Sequence, residues 1–412
     1  MKLGLIGQRL GHSWSPEIHR MLIGEDYALW ELEPQSLPDF LRKRDFDGIN
    51  VTIPYKQSVL PLLDEIDDSA RRIGAVNTIV NDKGRLCGYN TDCLGLRGIL
   101  ENHGLPVAGA DVAILGTGGA SLAAVEAVCL CKGKPVRVSR TPASHGGTIG
   151  YDELYRREFA VLINTTPVGM HPDVDAVPVE TGRIRGLRAV VDVVANPLRT
   201  ALMLQAQKCG IEAFGGLEML VTQAFYADQL FTGTPLDPAK ARQCLTRLTT
   251  LRRNLVLIGM PASGKTTIAK AVAGEAGRAF VDTDALVEAA AGRTIPEIFA
   301  TEGEAGFRAR EAEVIEGLRL RTGLVIATGG GVVLSERNMR NLAYNGLIVR
   351  LERKTELLEA GEGRPLARSR SDLDRLYSER GALYEKYADA TVANNAGVGQ
   401  ALAGIMRIIE GA

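Results

Sequence analysis

Histidine and cysteine are both scarce in this chain, at five and six among 412 residues. Cys87, Cys93, Cys129, Cys131, Cys209 and Cys244 form no C-x-x-C pair, and five histidines leave no spacing that suits zinc. Reduced thiols are therefore expected. Net charge of either sign is lacking too. A formal charge of −1 gives no global field toward nucleic acid or an anionic membrane. Small anionic substrates must be held by a few placed cations instead. No apolar run approaches the roughly 18–20 residues of a membrane span. The apolar run within Met1–Gly7 is too short for a signal-peptide core. These absences point to a cytoplasmic protein with neither nucleic-acid nor membrane partners.

What remains is ordinary globular usage, 45% hydrophobic and 24% charged, with length for two or three domains. Strand-like runs alternate with helical patterns throughout, which predicts an α/β fold. The pattern breaks after Thr232-Gly233-Thr234-Pro235. A charged stretch follows, and the main boundary is placed there, with 241–253 as a linker and 254–412 as the last domain. Softer boundaries near 103 and 215 divide the first part into a lobe of 1–103, a second lobe of 104–214 and a return segment of 215–240. Ligands of two-lobed proteins bind in the cleft between lobes.

Two glycine-rich cradles each follow an apolar strand-like run. The first, Val112-Ala-Ile-Leu-Gly116-Thr-Gly118-Gly119-Ala120-Ser121, has the form of a Rossmann-like dinucleotide turn. Glycines let the backbone turn tightly and let a pyrophosphate approach the N–H groups opening the next helix. The following strand ends Ser139-Arg140-Thr141 with no acidic residue to bind a ribose 2′-hydroxyl. Arg140 suits a 2′-phosphate, which reads as NADP(H) rather than NAD. The second cradle, Gly259-x-x-x-x-Gly264-Lys265-Thr266-Thr267, is a complete P-loop. Its amides cradle phosphates, Lys265 reaches the β/γ oxygens and Thr266 can ligate Mg²⁺.

Upstream of the first cradle lie Ser13-Trp14-Ser15-Pro16, Asn50-Val-Thr52-Ile-Pro-Tyr-Lys56, Ala75-Val-Asn77-Thr78 and Asn90-Thr91-Asp92. Singly, each reads as a cap, an Asx turn or a strand edge, and Ser15 before Pro16 reads as a helix N-cap. In this order, followed by Asn164-Thr-Thr-Pro-Val-Gly169, Asp192-Val-Val-Ala195-Asn-Pro197 and Gly216-Leu-Glu-Met219-Leu-Val-Thr-Gln223, they resemble the shikimate dehydrogenase family over about residues 1–235. The resemblance implies Ser13 and Ser15 at a substrate carboxylate. It implies Thr52, Asn77, Asp92 and Gln223 at ring hydroxyls, and Lys56 with Asp92 as the proton-transfer pair. Gly116, Gly118, Gly119, Ala120, Ser121, Arg140, Thr141 and Met219 would hold NADP(H). The chemistry agrees independently, since hydride delivered to a ketone leaves an alkoxide that needs a proton and a nearby positive charge. Ala195 stands where the family usually has tyrosine, and Ser139 where it usually has asparagine.

After the P-loop come Asp282-Thr-Asp284, Phe307-Arg308-x-x-Glu311, Gly329-Gly330-Gly331, Arg364-Pro365-Leu366 and Arg380-Gly-Ala-Leu-Tyr384. This series resembles shikimate kinase over about residues 254–412. The resemblance implies Asp284 at the reacting hydroxyl, and Arg308 and Arg380 on the substrate carboxylate, which a guanidinium fork suits. The Gly329–Gly331 backbone would lie against the ring. Lys265 and a lid residue, Arg364, would act on the transferring phosphate of ATP, and Asp282 would support Mg²⁺ through water. Outside this series, Asp282 or Asp284 would read as a helix cap, and Arg308 as half of a helix-surface ion pair. Ala262 replaces a glycine often found in the family P-loop.

The two resemblances converge on one metabolite. The expected protein is a bifunctional enzyme of aromatic amino acid biosynthesis, making shikimate from 3-dehydroshikimate and then phosphorylating it. A quinate/shikimate dehydrogenase fused to the kinase, or one silent half, are the alternatives. Channelling and assembly into a homo-oligomer stay open.

Overall fold

The computed structural model describes residues 1–11, 13–142, 147–359 and 366–411. It forms two compact units, Met1–Thr246 and Arg247–Ala412. The stretch 241–253, expected from its charge to be a linker, is largely helical and belongs to a helix from Pro238 to Arg252.

The first unit holds two sheets. In the first, the spatial order is Tyr27–Glu31, Leu3–Gly7, Gly48–Val51, Thr78–Asp82, Arg85–Tyr89 and Glu65–Ile66. The Leu3–Gly7 strand pairs in parallel on both sides. All five of its residues are buried, as a strand covered on both faces requires. Thr78–Asp82 pairs antiparallel with both of its neighbours. The second sheet is parallel throughout, in the order Glu212–Phe214, Ala189–Asp192, Val161–Asn164, Asp111–Leu115, Lys134–Val138 and Thr148–Ile149. Apolar clusters cover both its faces, Val112, Ile114, Ile163 and Val191 on one and Ala113, Leu115, Leu162 and Val190 on the other. That alternation along single strands is the period-two signature of the pleat.

Two helices bring the sheets' loops together. Helix Thr91–Asn102 is opened by Asn90, whose side chain accepts from the Cys93 N–H. Helix Gly216–Thr232 packs along it and also contributes Ala227 and Phe231 to the core under the first sheet. Gly95 makes the close approach feasible, because a Cβ there would sit 3.0 Å from the Met219 carbonyl and 3.1 Å from Gln223 Cβ.

The second unit is a five-stranded parallel sheet ordered Ala279–Asp282, Leu324–Ala327, Asn254–Ile258, Gly346–Glu352 and Ala390–Ala393. Helix Lys265–Ala276 starts directly after the glycine loop that follows Ile258. Ligands of such sheets bind beyond the carboxyl ends of the strands, and the P-loop, Asp282 and Thr328 all stand there. Among the described residues no helix is long and apolar enough to cross a membrane.

Candidate active sites

In the first unit a cleft of about 550 Å³ is lined by Ser13, Ser15, Thr52, Lys56, Asn77, Asp92, Ala195, Met219 and Gln223, among others. Lys56 Nζ donates to Asp92 Oδ2 at 2.6 Å. The pair is only 30% and 14% exposed, which separates it from an ordinary surface ion pair. Asp92 sits in the first turn of its helix, where the positive end of the helix dipole favours a carboxylate. Asn77 Nδ2 donates to the other oxygen, Asp92 Oδ1, at 2.9 Å and reaches Gln223 Oε1 at 3.4 Å. Asn77 Oδ1 in turn accepts from the Thr91 backbone N–H at 2.7 Å.

Thr91 is a residue that motif reading passes over. It is fully buried, and its hydroxyl reaches Asn77 Oδ1 at 3.2 Å and Gln223 Oε1 at 3.3 Å. Its place between Asn90, which caps the helix, and Asp92, which faces the cleft, is the one local hint of this role. Ser15 does not cap its helix. Trp14 already has helical dihedrals (φ −88°, ψ −1°), so the helix begins one residue earlier than proline placement implies. The Ser15 hydroxyl instead accepts from Ser13 Oγ at 3.1 Å, within the cleft.

Strands Asp111–Leu115 and Lys134–Val138 pair in register, so their two following turns stand side by side. The Gly116 N–H donates to the Val138 carbonyl and Ser121 Oγ donates to the Gly116 carbonyl at 2.8 Å. Gly118 caps helix Gly119–Leu130 with an extended backbone, and a Cβ on either glycine would meet nothing within 4 Å. That leaves the amides reachable by a phosphate. Arg140 is exposed at the end of the neighbouring strand. Ser139 Oγ holds the turn by accepting from the Thr141 N–H at 3.1 Å.

In the second unit a cavity of about 270 Å³ is bounded by the P-loop, Asp284, Arg308, Gly329–Gly331 and Arg380. Lys265 Nζ donates to the Gly259 and Met260 carbonyls, each at 2.9 Å. Asp282 fills two roles at once. Its Oδ1 caps the helix Thr283–Ala291, and its Oδ2 accepts from Thr266 Oγ1 at 2.8 Å. Arg308 is paired along its helix with Glu311 at 2.9 Å and Glu304 at 3.1 Å, and it also faces the cavity. Its guanidinium lies so close to Gly331 that a Cβ there would come within 2.0 Å of Nη2. Arg380 Nη1 donates to the Gly330 carbonyl at 3.2 Å, and the Tyr384 hydroxyl donates to the same oxygen.

Four buried polar atoms around this cavity have no partner among the described residues: Asp284 Oδ1, Glu311 Oε1, Arg308 Nε and Arg380 Nε. A buried unpaired polar atom is costly. The set therefore marks this cavity as a polar site whose hydrogen bonding is incomplete among the described residues. Burial, reinforced by nearby Asp282, raises the Asp284 carboxyl above its usual range. Burial likewise raises Glu311, against the opposing pull of Arg308. Glu311 is visible in the sequence only as the end of a motif. Arg364 lies outside the described residues.

Comparison with known proteins decides the identity. The chain matches "Shikimate dehydrogenase (NADP(+))" of Clostridium beijerinckii at 36% identity over 250 residues, covering 57% of this chain and 93% of that protein. The chain belongs to the shikimate dehydrogenase family. The protein of that name from Halothermothrix orenii is 39% identical over 264 residues, covering 56% of this chain and 90% of its own. The family model for the shikimate dehydrogenase substrate binding domain matches residues 5–79, and the shikimate kinase model matches residues 261–410. A shikimate dehydrogenase is thus joined to a shikimate kinase domain.

Among solved structures, a chorismate mutase/shikimate 5-dehydrogenase fusion protein from Clostridium acetobutylicum aligns with a TM-score of 0.57 and 32% identity, over 60% of this chain and 96% of that one. Shikimate 5-dehydrogenase from Thermus thermophilus, in complex with NADP(H) and shikimate, aligns with a TM-score of 0.55 and 33% identity, over 60% and 99%. In the dehydrogenase half, Ala195 lines the cleft wall at the position where the family usually has tyrosine. In the kinase half, Ala262 adopts a left-handed backbone, φ 65°, the conformation that explains why glycine is common there.

Proposed function

We propose that the Lys56–Asp92 cleft reduces 3-dehydroshikimate to shikimate with NADPH, and that the Asp284 cavity phosphorylates shikimate with ATP. The observation that carries this is chemical agreement between two separately built sites. Each offers cations or hydroxyls at one end for a carboxylate and a carboxylate side chain at the other for ring hydroxyls. The product of the first reaction is the substrate of the second.

In the dehydrogenase half, the Gly116–Ser121 turn would hold the pyrophosphate of NADPH and Arg140 its 2′-phosphate, and the bound cofactor would supply the hydride. Lys56 Nζ holds the substrate carbonyl oxygen and gives it a proton as charge develops there. Asp92 keeps Lys56 aimed, and is itself held by Asn77. Asn77, Thr91 and Gln223 form a fixed hydrogen-bonded wall, so ring hydroxyls meet donors and acceptors already in place.

In the kinase half, Asp284 accepts the proton of the attacking hydroxyl, and its raised pKa makes it the stronger base. Arg308 and Arg380 hold the substrate carboxylate against the Gly329–Gly331 backbone. Lys265 moves from carbonyl contacts to the β/γ oxygens of ATP. The oxygens of Thr266 and Asp282 fit a hard cation held chiefly by phosphates, and Mg²⁺ held there would neutralise charge on the phosphates. Asp282 acts through water, because its carboxylate is already shared between the helix cap and Thr266. A cytoplasmic location follows from the NADPH and ATP pools both halves draw on.

The test is a coupled assay with dehydroshikimate, NADPH and ATP. One phosphoester is expected per NADPH consumed when ATP is saturating and the reaction runs to completion. Protein that consumes no NADPH and forms no phosphoester from shikimate overturns the reading.

A further inference from the structure

We infer that Arg9 is the cationic anchor for the substrate carboxylate in the dehydrogenase cleft, and so sets its preference for an acid over a neutral ring. This rests on the dehydrogenase reading above. Among the described residues lining the cleft, the charged side chains are Arg9, Lys56 and Asp92. Lys56 and Asp92 neutralise each other at 2.6 Å. Among the described residues the cleft therefore has one uncompensated positive charge, and the substrate has one negative charge to place.

Position agrees with charge. Arg9 follows the Leu3–Gly7 strand and lies shortly before Ser13, on the loop that also brings Ser15 to the cleft. The loop backbone is tied on both sides of Arg9. Gln8 N–H donates to the Ile53 carbonyl at 3.4 Å before it, and Leu10 N–H donates to Glu31 Oε1 at 2.6 Å after it. The Arg9 side chain, by contrast, is exposed and has no hydrogen bond or ion pair among the described residues. Ser13 donates its hydroxyl to Ser15 Oγ. Serine hydroxyls alone give a carboxylate orientation but no charge. A guanidinium supplies charge and two parallel donors together. At the far end, Asn77, Asp92 and Gln223 form a polar wall that accepts hydroxyls and offers a carboxylate no cation beyond the one Asp92 already holds. Substrate polarity in the cleft is thereby fixed in one direction.

The experiment compares kcat/KM for shikimate and for its methyl ester, a neutral substrate of the same ring, in the full chain and in Arg9→Ala, Arg9→Gln and Arg9→Lys. Loss of a charge-assisted contact predicts a roughly 10- to 100-fold fall for shikimate in Arg9→Ala and Arg9→Gln, carried by KM. The ester should be unaffected, as should KM for NADP and kinase activity, and Arg9→Lys should recover part of the loss. Equal falls for acid and ester, or no fall for the acid, overturn the inference. Wild-type protein that does not oxidise shikimate with NADP overturns the dehydrogenase reading instead, so the two failures are distinct.

Discussion

Asp92 is shared between Lys56, whose Nζ lies 2.6 Å from Oδ2, and Asn77, whose Nδ2 lies 2.9 Å from Oδ1. Both oxygens of one carboxylate are thus committed, one to Lys56 and one to Asn77. Asp92 cannot rotate without releasing one of them. Lys56→Ala is expected to lower dehydrogenase kcat by roughly 10²–10⁴-fold, as for other positioned acids. Phosphorylation should continue near its normal rate. Lys265→Ala should do the reverse. Loss of both activities from either substitution would count against independent sites.

On the proposed mechanism, Asp284 is expected to set the acid limb of the kinase. Its carboxyl is raised by burial and by Asp282, and it works only when ionised. Phosphorylation should therefore fall as pH drops through a value above the ordinary carboxylate range. Asp284→Asn should cost roughly 10²–10⁴-fold in kcat and remove that limb, with KM for ATP little changed. A retained limb in this variant would assign the titration elsewhere.

Asp192 makes the first unit less stable as pH rises. Burial pushes its carboxyl up to about 6, although Thr200 Oγ1, the Val194 N–H and Asn164 Nδ2 all donate to it. The native state then holds the proton more tightly than the unfolded chain, whose carboxyl titrates near 3.8. Native protein binds more protons between these values, so stability falls as pH climbs from about 4 to about 6, by up to ~3 kcal/mol. Both tryptophans, Trp14 and Trp30, lie in this unit, so fluorescence-monitored urea unfolding reports it alone. The wild-type minus Asp192→Asn difference should carry this slope. A flat difference would rule it out.

Ala262 is expected to be improved by glycine. A left-handed alanine carries a strain of about 1–2 kcal/mol, against the smaller entropy cost of adding glycine. Ala262→Gly should raise the urea midpoint of kinase activity, the opposite of an ordinary helix or strand Ala→Gly change. A lowered midpoint would show that the loop holds alanine without strain.

Much of both sites is legible in the sequence because their chemistry is local. The P-loop is contiguous, and its strand and helix are set by an apolar run ending in glycine. Lys56, Asn77 and Asp92 can be named because each sits in a short motif at a strand or turn end. Residues whose importance depends on distant partners are not legible in this way. Thr91 looks like a helix-start threonine until Asn77 and Gln223 close on it, 14 and 132 positions away. Glu311 looks like the partner of Arg308 until its second oxygen is found buried without one. Ser15 reads as a cap because a Ser-Pro pair is satisfied by two start positions one residue apart, and only the dihedrals of Trp14 choose between them.

The amino-acid order alone determined the alternation of strands and helices, the two phosphate-binding turns and the residue types at each reacting centre. These follow from periodicity and from backbone freedom at glycine, which act over a few neighbouring residues. Tertiary structure decided which polar atoms are paired, which carboxyls are raised and which side chains line the same cleft. Those properties depend on burial and on contacts between elements far apart in the chain, and no local pattern encodes them.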